Sequence, residues 1–327
     1  MSKMVNTATG PILPDLLGQT YMHEHIMFAF PGFSGDFTVA PLNWDSALQV
    51  CAETIKPLME KYGLKTIVDA TPNDCGRNVV FCKAVSEATG VNIIPVTGYY
   101  SESTGASAYF RIRSFAVDIS EDAYGIMKKE VTEGIEGTGI KAGIIKCASS
   151  LGAITDYEQA FFKAAARVSR EEGVPIITHT SGGTMGPEQA ELLIAHGADP
   201  SHISIGHSGD STDIRYHLNI LKQGVYISID RFGLQVLEGC PMDFDRELMI
   251  VALCAAGYAD RIMLGHDIIV KWLGRDNPAP KECLPFLNNQ YLGHIHDNVV
   301  PDLKKLGITD EQIHMMLVDN PKRFFSY

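Results

Sequence analysis

The chain has 327 residues, of which 45% are hydrophobic and 20% charged. That is ample material for a folded core and far from a disordered composition. A formal net charge of −12 argues against a broad nucleic-acid-binding surface, and no run of eighteen apolar residues offers a membrane span.

The opening stretch "MSKMVNTATGPILPDLLG" lacks the long apolar core of a signal peptide. Seven scattered cysteines (Cys51, Cys75, Cys82, Cys147, Cys240, Cys254 and Cys283) never form CxxC. Their odd number and spacing argue against a disulfide framework or a thiolate zinc site and point to a reducing, cytoplasmic location.

The first candidate strand is "QTYMHEH", followed by the helical pattern "NWDSALQVCAETIKPLMEKY". Then come the strand "KTIVDAT", the helix "GRNVVFCKAVSEAT" and the strand "VNIIPVTG", after which residues 98 to 120 form a long segment. The fourth strand, "IKAGIIK", precedes the helix "DYEQAFFKAAARVSREE", and the fifth, "VPIITHT", precedes "GPEQAELLIAHG". Strands six to eight are "HISIGH", "GVYISID" and "RIMLGHD". Residues 268 to 296 form a second long segment rich in Pro, Gly and Asn, and the tail from about Asn298 to Tyr327 reads as helical packing. Several helical patterns end in glycine or asparagine, a usual stop.

These strands are short and apolar rather than alternating, as buried parallel strands are when helices cover them. Repeated β-α units fit a doubly wound sheet or a closed barrel; eight candidate strands favour an α/β (β/α)8 TIM barrel, one domain over residues 1–327. No GxGxxG opens the first helix and no GxxxxGK[ST] occurs, so nucleotide-binding motifs do not favour the alternative.

Polar residues gather at the strand ends. The first strand carries His23 and His25, the fourth Lys146, the fifth His179, the sixth His207 and the eighth Asp267. In a barrel the C-terminal strand ends share one mouth, where active sites lie. Side chains alternate along a strand, so His23 and His25 face one side and Glu24 the other; His266 likewise faces away from Asp267. Imidazole and carboxylate donors suit zinc and its first-row neighbours. Four histidines and a carboxylate exceed a single catalytic zinc's three protein ligands and suit two ions sharing a bridge. A lysine desolvated near cations shifts toward the neutral amine, which can add carbon dioxide; Lys146 carboxylated in this way would supply an anionic bridge. His196, His202, His217 and His314 read as structural or exposed. So does the late "HIHD" from His294, which lies outside the eight strands.

The segments "MHEH", "GRNV", "ATGVNII", "KAGIIK", "PIITHT", "IGHSGD", "IDRFG", "LGHD" and "DNPKRFF", in this order over nearly the whole chain, resemble the phosphotriesterase-like group of the amidohydrolase superfamily. The resemblance implies a dinuclear metal-dependent hydrolase, usually dimeric, with a hydroxide bridging two divalent ions: zinc, or cobalt, manganese or iron. It implies His23, His25 and Asp267 on the more buried ion, His179 and His207 on the more exposed one, and carboxylated Lys146 between them. Asp267 would also take the proton, one oxygen binding metal while the other stays free.

"TGYY" and "DRFG" resemble the lactonase-like members, which makes Tyr100 and Arg231 the matching site residues and a lactone or carboxylic ester the expected substrate. Phosphotriester hydrolysis is the alternative, with an amidase or deaminase-type member or a non-enzymatic binding protein on the same barrel behind it. Arg111 and Arg113, in the first long segment, are candidates for an anionic group or for the surface.

Overall fold

The computed structural model describes residues 3–275 and 279–327, without the side chain of Glu238. A hairpin comes first, β1 (Val5–Thr7) antiparallel to β2 (Gly10–Ile12). It lies at the N-terminal end of the sheet, where Ala8 N donates to Ile93 O and Asn6 Nδ2 to Ala142 O. Such three-residue strands carry no readable periodicity, and the sequence reading has no counterpart for them.

Eight parallel strands follow: β3 (Gln19–Phe28), β4 (Leu64–Asp69), β5 (Asn92–Gly98), β6 (Ile144–Ala148), β7 (Ile176–His179), β8 (Ile203–Ile205), β9 (Tyr226–Ile229) and β10 (Ile262–Leu264), each paired with the next. After a break the chain resumes as β11 (Ile269–Trp272), parallel to β3. Residues 262–272 thus pair with β9 at one end and with β3 at the other. Asp267 N donates to His23 O, and His25 N donates to Ile268 O. These bonds close the sheet into the expected (β/α)8 barrel. The eighth strand therefore runs past residue 267 into what the sequence suggested was loop. The fourth starts at Ile144 rather than Ile140.

The helices between strands are α1 (Trp44–Tyr62), α2 (Val79–Thr89), α3 (Ala108–Arg113), α4 (Ile119–Thr132), α5 (Asp156–Glu172), α6 (Gly186–Ala195), α7 (Ile214–Leu221) and α8 (Asp243–Ala255). Their ends follow local chemistry. Asn43 caps α1 through Ser46 N, Thr155 and Glu158 form a capping box on α5, and Gly63 and Gly90 end α1 and α2 with positive φ. The long segment 98 to 120 contains α3 and leads into α4. The tail folds as α9 (Val300–Lys305), α10 (Asp310–His314) and α11 (Asn320–Phe325). Residues 276–278 of the second long segment lie outside the described residues.

Neighbouring residues along a strand serve different cores. Ile67, Ile93, Ile145, Ile176, Ile227 and Leu264 pack in the layer with the helices, whereas Val68, Ile94, Ile144, Ile177, Tyr226 and Met263 pack together inside the barrel. This alternation aims the chemistry. Lys146 lies two residues beyond Ile144 and His179 two beyond Ile177, so both continue the inward rows toward the barrel mouth. On β3 a register irregularity between Tyr21 and Glu24 shifts the row, and His23 and His25 face the mouth above inward-facing Met22.

Candidate metal centre

A cavity of about 420 Å³ opens at the C-terminal strand ends. Its floor brings together His23, His25, Lys146, His179, His207, Arg231 and Asp267, with Tyr100 on the wall. His23 Nε2 lies 2.8 Å from Lys146 Nζ and 3.7 Å from Asp267 Oδ1. Asp267 Oδ1 is 3.1 Å from His25 Nε2, and Oδ2 is 3.8 Å from His207 Nε2. The His179 and His207 rings meet edge to face at 4.5 Å, and the Tyr100 ring stands 4.9 Å from His179.

The imidazoles are aimed from behind. Asp230, fully buried just past the end of β9, accepts His23 Nδ1 at 2.8 Å, His207 Nδ1 at 2.9 Å and His207 N at 2.8 Å. Thr71 Oγ1 sits 2.9 Å from His25 Nδ1 and donates to Asp69 Oδ1 at 2.7 Å. These contacts place protons on Nδ1 and leave Nε2 of His23, His25 and His207 for the cavity. His179 is turned the other way, with Nε2 at 3.2 Å from Ser181 Oγ, so the nitrogen it offers is Nδ1.

His23, His207 and Asp230 also form a three-donor group within 4.8 Å, as do His23, His25 and Asp267. We assign Asp230 to orientation rather than ligation, because both its oxygens are already taken by imidazole N–H groups. Sequence reading missed Asp230. Its signal was the carboxylate ending the apolar "YISI", two residues beyond inward-facing Ser228.

Glu24 points away from the cavity, as expected. Its carboxylate accepts His266 N at 2.9 Å, Ile268 N at 3.0 Å and the His266 ring at 2.8 Å. This grip shapes the break between β10 and β11, where Asp267 takes φ +59°. His207 is likewise left-handed at φ +52°. Such conformations cost energy in non-glycine residues and recur at functional sites.

Electrostatics suit ligation. Burial, reinforced by Lys146, pulls His23 down to about 3, and burial with the His207 charge holds His179 well below the usual imidazole range. Burial also lowers Lys146 to about 8, toward the neutral amine. Burial opposes ionisation of Asp267, yet the His207 and Arg231 charges hold its carboxyl well below the ordinary range. Imidazoles with supported backs, a carboxylate and a desolvated lysine form a donor set that fits divalent cations.

One expectation changes. The second oxygen of Asp267 is not free, because Arg231 Nε donates to it at 2.9 Å. Arg231 Nη1 in turn donates to Asp210 at 2.7 Å. The remaining candidates lie elsewhere. Arg113 pairs with Asp122 at 2.6 Å, and Arg111 is 3.9 Å from Glu102 at the surface. His202 Nδ1 meets Phe324 O, His217 lies against backbone carbonyls, and exposed His314 faces Asp319. His294 and His296 diverge, one to Asp243 and the other stacked on Tyr62.

The model of the phosphotriesterase family matches residues 3–325. A Mycobacterium tuberculosis "phosphotriesterase homology protein" is 35% identical over 326 residues, 98% of this chain and 97% of the relative. An "aryldialkylphosphatase" of Saccharolobus solfataricus is 33% identical, covering 95% of each chain. The crystal structure of a mutant Deinococcus radiodurans PTE-like lactonase superposes with a TM-score of 0.96 at 50% identity, covering 98% of this chain and 99% of that one. The chain belongs to the phosphotriesterase family.

Proposed function

We propose that the chain, as a single barrel domain, is a dinuclear metal-dependent hydrolase that cleaves a lactone or carboxylic ester. The observation that carries this is the convergence of four imidazoles, Asp267 and buried Lys146 on one cavity floor, with Arg231 beside them and Tyr100 on the wall. His23, His25 and Asp267 would hold one ion, His179 and His207 the other, and carboxylated Lys146 would join them. Two bound divalent ions, zinc or a first-row neighbour, supply a nucleophilic hydroxide near neutral pH and a Lewis acid for the carbonyl.

The chain's own residues do the rest. Asp230 and Thr71 hold the imidazoles in the tautomer that presents Nε2. Asp267 would accept the proton through the lone pair of Oδ2 that the bond from Arg231 leaves open, and that bond orients the oxygen. Tyr100, whose ring stands beside His179 on the cavity wall, would donate a hydrogen bond to the substrate oxygen. Phe28, Phe30, Leu234, Leu237, Trp272 and Leu287 line the cavity above and suit an apolar substituent on the substrate.

The lactonase likeness of the Deinococcus neighbour supports the carbonyl substrate. The aryldialkylphosphatase relative supports phosphotriester hydrolysis as the second reading. Kinetics of metal-replete protein on γ- and δ-lactones beside an aryl phosphotriester separate the two: kcat/KM should favour the lactones, and a clear preference for the phosphotriester would reverse the order.

We further place the protein in the cytoplasm as a homodimer. Seven free cysteines support the location, and exposed Tyr109, Ile112 and Phe115 around α3 support an apolar contact between copies. Light scattering that returns a monomer mass would remove the dimer. Among the described residues, no helix is long and apolar enough to cross a membrane.

A further inference from the structure

The charge pairing that begins at Asp267 does not end at Arg231. Asp210 accepts from Arg231 Nη1 at 2.7 Å and from Arg246 Nη2 at 3.4 Å. Arg246, fully buried, donates through Nη1 to Asp243 Oδ1 at 3.0 Å. His294 Nε2 meets Asp243 Oδ2 at 2.8 Å, and its Nδ1 lies 3.0 Å from Asn298 Nδ2. An amide N–H facing Nδ1 assigns the ring proton to Nε2, so His294 donates to Asp243. Two arginines interrupt this ladder, and guanidinium groups keep their protons in proteins. The ladder therefore holds geometry rather than moving protons.

Asp243 is also where two walls of the cavity meet. Its carboxylate accepts Gly233 N at 3.0 and 3.2 Å, and its own N donates to Gln235 Oε1 at 2.9 Å. Gln235 Nε2 then reaches Phe286 O at 3.3 Å. Gly233 packs so closely on the facing segment that a Cβ there would lie 2.2 Å from Asn289 O. The stretch from Arg231 to Asp243 supplies Leu234 and Leu237 to the cavity, and the stretch from Leu284 to His294 supplies Leu287 and Gln290. Neither Asp243 nor His294 lines the cavity itself.

We propose that Asp243 and His294 form a latch that fixes these two walls against each other and so sets how well the site accepts substrates long enough to reach them. Both are positioning residues. The inference rests on the hydrolase reading for its substrate but not for its geometry.

The test compares metal-replete wild type with His294→Ala, and with His294→Gln, whose side-chain amide can donate to Asp243 again. Amide hydrogen exchange is followed in residues 232–242 and 284–293, and Michaelis constants are measured for a short and a long-chain lactone. His294→Ala should speed exchange in both segments about tenfold, as local opening there becomes easier. It should raise KM for the long lactone at least about fivefold, with the short lactone's KM and both kcat values changed less than about threefold. His294→Gln should recover most of both effects, and the bound metal should be equal in all three proteins.

Asp243→Asn is the second variant should His294→Ala fail to fold. It meets three donors (Gly233 N, Arg246 Nη1 and His294 Nε2) with one acceptor oxygen, and must show the same split between long and short substrates. Unchanged exchange in either segment, equal losses on both lactones, or no rescue by glutamine would overturn the latch. A wild type that hydrolyses neither lactones nor phosphotriesters removes the hydrolase reading alone, and the exchange comparison then decides the latch.

Discussion

Asp230→Asn changes one oxygen to an amide nitrogen in a fully buried group. In the native arrangement Oδ1 receives both His207 N and His207 Nδ1, while Oδ2 receives His23 Nδ1. Asparagine keeps two donors satisfied by leaving its oxygen at His207, which turns its NH₂ toward His23. His23 must then accept at Nδ1 and carry its proton on Nε2, the nitrogen offered to the cavity. An ion at His23 would have to displace that proton, so the cost falls on one ion more than the other. Loss of a supporting group behind a ligand typically weakens metal binding about 10–100-fold, or ~1.4–2.7 kcal/mol. The assay is elemental analysis after dialysis against graded chelator, with circular dichroism to confirm the fold. The variant should lose one equivalent of metal at about 10–100-fold lower effective chelator strength than wild type. A folded variant whose two equivalents leave together on the wild-type curve would refute the tautomer argument.

Asp267→Asn should lower kcat by about 10²–10⁴-fold as the proton acceptor is lost, with an unchanged far-ultraviolet spectrum; an undiminished kcat would take Asp267 out of the chemistry. Gly98→Ala should destabilise the fold by ~3 kcal/mol or more, read as a fall in Tm. The reason is that φ is +130° there and the new Cβ would sit 2.0 Å from Lys146 O. Glu247 is raised to about 7 by burial and by the charges of Asp302 and Asp243. Its stabilising neutral form is fully present below about 4.5 and is lost as pH rises through about 7. Glu247→Gln should therefore raise Tm at pH 8 and leave it unchanged at pH 4; the opposite pattern would contradict the sign.

The barrel and the cavity floor were legible because buried parallel strands are almost wholly apolar. Against "PIIT" or "AGII" a terminal histidine or lysine stands out, and the alternation of neighbouring residues between two cores then aims it at the mouth. What stayed hidden depends on partners distant in sequence. Asp230 reads as an ordinary strand terminus until His23, 207 positions away, lies against it. Glu24 was assigned away from the site, but its grip on His266 and Ile268 appears only once β3 pairs with the chain across the barrel closure. The free second oxygen expected of Asp267 was an argument from one residue alone, and Arg231 occupies it. β11 was hidden because the break at residues 265–268 ends the apolar run before the strand resumes.

Metal content of freshly purified, active protein tests the central claim most directly. Two divalent ions per chain are predicted, falling together with turnover as the ions are removed and recovering on their return. Full hydrolytic activity in protein without stoichiometric divalent metal would contradict the account.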